Sequence, residues 1–131
     1  MSATLNLTDR DKSTIRSAAY GAVSLLAAAS PKPNKAATAG SRALTSATGR
    51  IGHVLNAKSK DIHLSGNTVA DLADQVLPAL ATAAGLLEQQ DPAEADSFRA
   101  AILVAVEAAA TVAPSPVVDD MTRKVTAALH A

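Results

Sequence analysis

Apolar residues recur along this chain at steps of three and four, in blocks separated by Pro, Gly and Ser, which is the period of amphipathic helices. Five helical segments follow from it, and no strand. The first opens at Thr8, an N-cap residue, with Asp9 and Asp11 in the first turn where the helix dipole favours negative charge. Ile15, Ala19, Ala22, Leu26 and Ala29 form its apolar stripe, flanked by Ala18 and Leu25. Ser30-Pro31-Lys32-Pro33 stops it, because proline disfavours helical geometry at the residue before it.

The second segment is expected from about Asn34 to Asn56, with Ala36, Gly40, Ala43, Ala47, Ile51 and Val54 on its apolar face. Each interior glycine costs roughly 1 kcal/mol relative to alanine, so Gly49-Arg50-Ile51-Gly52 is a candidate break. Lys58–Asn67 reads as a polar connection that ends in a Ser65-Gly66-Asn67 turn. The third helix starts near Thr68, with Asp71 at capping-box spacing, and buries Val69, Leu72, Val76, Leu80 and Leu87. Pro78 either kinks it or divides it in two.

Asp91-Pro92-Ala93-Glu94 is the clearest local signal: an Asp N-cap, Pro at the first helical position and Glu at the third. The fourth helix then carries Phe98, Ile102, Ala105, Ala109 and Val112 inward. Leu103, Val104 and Val106 widen that face, so this helix is expected to be the most buried. Ala113-Pro114 ends it, and Ser115-Pro116 starts a shorter fifth with Val118, Met121, Val125 and Leu129 inward. Short connections favour antiparallel neighbours. The expected fold is an all-α, single-domain up-and-down helical bundle over residues 1–131, four main helices plus a shorter C-terminal fifth.

Composition alters this picture in one respect. Alanine makes up roughly a quarter of the chain, which favours helix but thins the core, since each alanine buries little area. Tyr20 and Phe98 are the only aromatics. Close helix approach or extra burial at an interface would compensate, hence the expectation of a homodimer. With no cysteine there is no disulfide framework and no thiolate site. No apolar run approaches the ~20 residues of a membrane span, so no membrane association is expected. Ser17–Ser30 loosely imitates a signal peptide, but Asp9 and Asp11 interrupt the charged stretch before it and the apolar spacing is helical. An ordinary first helix and a cytoplasmic location are expected.

Overall neutrality hides a charge split. Residues 1–60 hold nine bases against two acids, a balance of +7, and residues 61–131 hold three bases against ten acids, a balance of −7. Between Lys12 and Lys60 there is no Asp or Glu. Such a split points to a basic partner-binding face, or to the two halves pairing with each other.

On one continuous second helix, Lys35, Arg42, Ser46, Arg50 and His53 fall within about 80° of one another, beside Thr38, Ser41, Thr45 and Thr48. Cations with hydroxyls nearby suit phosphate oxygens, either of an anionic small molecule held against the Pro78 kink or of nucleic acid. A solvated face whose cations meet the acids of the third and fourth helices explains the same pattern. Scarce aromatics and overall neutrality argue against nucleic acid.

Glu107 stands alone in the apolar run Ala100–Ala113, and its helical phase puts it at the rim, poised to pair with a base of the other half. His53, His63 and Asp61 could offer three ligands but match no metal motif, and neither metal nor cofactor is expected. Asp71 and Asp74 share a face in a first turn, where dipole stabilisation accounts for them. Gly-x-Ser-x-Gly, Walker A and dinucleotide fingerprints are absent. The expectation is a small non-enzymatic bundle acting through protein contacts, as a homodimer or with an acidic partner. An anion-binding or catalytic bundle and a nucleic-acid binder are the alternatives.

Overall fold

A computed structural model describes residues 7–56 and 68–131; within 49–55 the side chains of Arg50 and His53 lie outside that description. The described residues form an all-α bundle. Its helices are α1 (Asp9–Ala29), α2 (Pro33–Thr45), α3 (Gly49–Leu55), α4 (Val69–Gln90), α5 (Pro92–Val112) and α6 (Pro116–Leu129).

The starts obey local chemistry. Thr8 and Asp11 form a reciprocal capping box, with Asp11 N–H donating to Thr8 Oγ1 and Thr8 N–H to the Asp11 carboxylate. Thr68 accepts from Asp71 N–H, Asp91 from Ala93 N–H and Ser115 from Val118 N–H. Asp91 alone joins α4 to α5, which forces a tight antiparallel hairpin.

The second expected helix is two. The chain leaves the helical path at Ser46–Thr48, just ahead of Gly49–Gly52, and α3 begins on Gly49 itself. Gly49 has φ +76°, a left-handed conformation that side chains with a Cβ resist. Gly52 lies so close to the Ala47 carbonyl that a Cβ would collide with it. Because the break resets the helical phase, the buried face of α2 is Ala36, Gly40 and Leu44, while α3 buries Ile51, Val54 and Leu55. Ala43 and Ala47 are only half-buried.

Pro78 does not divide α4, which runs unbroken from Val69 to Gln90 with Pro78 exposed on its outer side. Its first expected core residue, Val69, is exposed as well. The most buried helix is α1 rather than α5. Ten of its residues are buried, from Ile15 to Ala27, against six of α5. Val104, expected inside, is 58% exposed.

Helices α1, α2, α4 and α5 stand at the corners of a rhombus. Its sides are α1–α2, α2–α5, α5–α4 and α4–α1, and α1 and α5 also touch across the short diagonal. The other two, α2 and α4, share no packing contact and occupy the far corners. Each half is closed by a further helix: α3 packs on α1, α2 and α5, and α6 on α1, α4 and α5.

An arginine from a short-diagonal helix binds the C-terminal end of each closing helix. Arg16 of α1 donates from Nη1 to Val54 O at 3.2 Å, and Arg99 of α5 from Nε to Leu129 O at 2.8 Å. The last carbonyls of a helix have no partner within it, so such donors satisfy groups that would otherwise need water.

Candidate cationic face of the second helix

Helix α2 presents Lys35, Thr38, Arg42 and Thr45 to solvent, opposite its buried Ala36, Gly40 and Leu44. Gly40 sets how closely this helix approaches α1, since a Cβ there would lie 2.7 Å from Val23 Cγ1. Two open depressions flank Arg42. One, about 310 Å³, is lined by Asn34, Lys35, Thr38, Ala39 and Arg42. The other, about 370 Å³, is lined by Ala37, Thr38, Ser41, Arg42 and Thr45.

The hydroxyls here are largely committed. Thr38 donates to Asn34 O at 2.9 Å, Thr45 to Arg42 O at 3.0 Å and Ser46 to Arg42 O at 2.9 Å. Their protons are therefore used within the helix, which leaves the ammonium of Lys35 and the guanidinium of Arg42, with the side chains of Asn34 and Ser41 beside them, as the donors lining the two depressions.

The expected column of five is not assembled on one helix. Lys35 and Arg42 lie on α2, Ser46 is its C-terminal cap, and Arg50 and His53 belong to α3 beyond the break. The side chains of Arg50 and His53, and the residues Asp61 and His63, fall outside the described residues. Since α2 and α4 do not pack together, no pocket between α2 and Pro78 exists among the described residues. Glu107 is an exposed rim residue of α5, as its phase requires. Its expected ion pair with a base of the other half does not occur among the described residues.

The ion pairs lie elsewhere. Arg99 pairs with Glu88 at 3.0 Å and Asp96 at 3.3 Å, and Asp120 pairs with Lys124 at 3.0 Å and Arg123 at 3.6 Å. Lys124, aided by Arg123, holds the Asp120 carboxyl below its ordinary pKa. All of these groups belong to the acidic half. The bases of that half serve its own acids, and among the described residues no ion pair links Lys35 or Arg42 to a carboxylate.

Sequence reasoning missed Arg16, a charged residue that is only 5% exposed. One turn on, Tyr20 donates its phenol to Leu55 O at 3.1 Å, and partial burial raises its pKa above the usual value of 10.0. The i, i+4 placement of an Arg and the lone Tyr beside the buried stripe was the available signal. A further cleft of about 570 Å³ runs between the start of α1 and α4, lined by Asp9, Arg10, Ser13, Thr14, Ser17, Gln75 and Ala79. Among the described residues no three His, Asp or Glu groups converge as metal ligands, and no helix is long and apolar enough to cross a membrane. No protein-family model, curated protein or solved structure matches the chain.

Proposed function

We propose that the protein is a non-enzymatic helical bundle that works through protein contacts, with the outward face of α2 docking an acidic partner. The observation that carries this reading is the exposure of Lys35 and Arg42 on a helix that contains no carboxylate, with no ion pair to either among the described residues. Seven residues along a helix is about 10 Å. Cations at that spacing suit carboxylates spread over one or two turns of a partner helix, which would also cover Ala37 and Ala39 in the two depressions. With the hydroxyl protons of Thr38, Thr45 and Ser46 committed, the two cations dominate the face, and each suits a side-chain carboxylate of the partner. A second copy of the chain, whose residues 61–131 are acidic, is one such partner.

Exposed ion pairs contribute about 0–1 kcal/mol each, so the contact is weak and salt-sensitive. Fluorescence anisotropy of a labelled helical peptide with Glu at every seventh position tests it. The Glu peptide binds, its Gln counterpart does not, and Lys35→Ala with Arg42→Ala weakens binding about tenfold, or 1.4 kcal/mol. Undiminished binding by that double variant overturns the reading, as does a labelled DNA duplex that binds more tightly than the peptide.

A further inference from the structure

The charge split has a spatial counterpart. Among the four corner helices, α2 carries Lys35 and Arg42 and no acid, whereas α4 carries Asp71, Asp74 and Glu88 and no base. Asp71 and Asp74 are exposed, and like Lys35 and Arg42 they form no ion pair among the described residues. These two single-sign helices occupy the far corners of the rhombus, with α1 and α5 between them. Their charged faces therefore look outward in opposite directions and cannot meet within one molecule.

From this we infer that the acidic partner of α2 is α4 of a second copy of this chain, joined head to tail. The inference rests on the reading of α2 as a contact surface and adds the identity and geometry of what covers it. Complementary single-sign faces attract between molecules what the fold keeps apart within one, and attraction of this kind sets orientation as well as contact. A formal net charge of +0 means that no overall repulsion opposes association.

The geometry also fixes the symmetry. A twofold dimer would have to present the α2 and α4 faces on one side of the molecule, because each face meets its complement across the axis. With the two faces on opposite sides, the contact is heterologous. Each added copy leaves one α2 face and one α4 face open, so assembly continues beyond two chains unless it closes into a ring. Salt dissolves it, since the Debye length falls from about 30 Å at 0.01 M to about 3 Å at 1 M.

Sedimentation velocity over a concentration series, at low and high salt, is the test. At low salt the weight-average mass rises with concentration past that of a dimer, and at high salt it returns to the monomer. The reversed variants Lys35→Glu with Arg42→Glu, and Asp71→Lys with Asp74→Lys, are each monomeric alone at low salt and associate when mixed in equal amounts. The milder Asp71→Asn with Asp74→Asn variant also loses association. Far-UV circular dichroism confirms that each variant keeps its helices.

Two results overturn the inference with different consequences. A wild type that stays monomeric while α2 still binds the Glu peptide removes the second copy as occupant and leaves the docking reading standing. A discrete, salt-stable dimer that ignores the reversals and binds no peptide removes both.

Discussion

Arg16 and Val54 lie 38 residues apart, yet the guanidinium of one donates to the backbone carbonyl of the other at 3.2 Å, almost out of reach of water. That bond, together with Tyr20 on Leu55, fastens α3 to α1 by its last two carbonyls. A helix of seven residues is too short to persist on its own, so its place depends on such anchors and on burying Ile51, Val54 and Leu55.

Replacing Arg16 by Met keeps an apolar stem of similar length and removes the donor. Hydrogen bonds from charged groups contribute about 1.5–3 kcal/mol, and Arg16→Met is expected to lose that much. The exposed Arg10, two turns earlier, serves as control. Arg10→Met should change stability by no more than about 0.5 kcal/mol. Urea unfolding followed by circular dichroism measures both, and equal midpoints would show that the Arg16 bond contributes nothing net.

Tyr20 makes stability depend on alkaline pH. Burial raises its folded pKa above that of the unfolded chain, so between the two values the native state holds the phenolic proton more tightly. Its contribution is fully present below the unfolded pKa of about 10 and declines as pH rises through the folded value. As Tyr20 is the only tyrosine and tryptophan is absent, phenolate absorbance reports this group alone. The expected midpoint lies above 10 in the native protein and near 10 in urea. Tyr20→Phe should lose about 1 kcal/mol near neutral pH and this alkaline component with it.

Two glycines should respond to alanine with opposite sign. At Gly40 the added methyl meets Val23, buried on α1, so Gly40→Ala is expected to cost about 1–3 kcal/mol through overpacking. Shortening the neighbour in Gly40→Ala with Val23→Ala should recover part of that loss, a coupling that a double-mutant cycle isolates. At Gly85, exposed within α4, nothing lies within 4 Å of the added atom, and Gly85→Ala should gain up to about 1 kcal/mol. Thermal melts of these three variants, and of Val23→Ala to complete the cycle, check the signs.

The legible parts of the fold were those that depend on near neighbours. Thr8, Asp91 and Ser115 mark helix starts because a cap acts on backbone groups two or three residues away. The inward residues of α6, Val118, Met121, Val125 and Leu129, are all buried as their spacing requires. Of the candidate site, the exposure of Lys35 and Arg42 and the rim position of Glu107 followed from helical phase. The five-residue column did not survive, because phase carries across a helix only while the helix continues. The break at Ser46–Thr48 separated Arg50 and His53 from the rest. Val104 misled for another reason: composition marks it as apolar, but nothing in its own helix says whether a neighbour covers that side.

What the sequence by itself determined is the set of elements: all-helical segments, their caps and proline stops, their inward stripes, and a charge split between the halves. Those properties arise from interactions within a few residues, which a one-dimensional pattern records. Tertiary structure alone decided that α1 and α5 meet across the short diagonal while α2 and α4 stand apart, so that the basic and acidic helices cannot neutralise each other. It alone buried Arg16 against Val54. Both outcomes depend on packing between residues dozens of positions apart, where the whole core chooses neighbours by shape and burial and no local period encodes the choice.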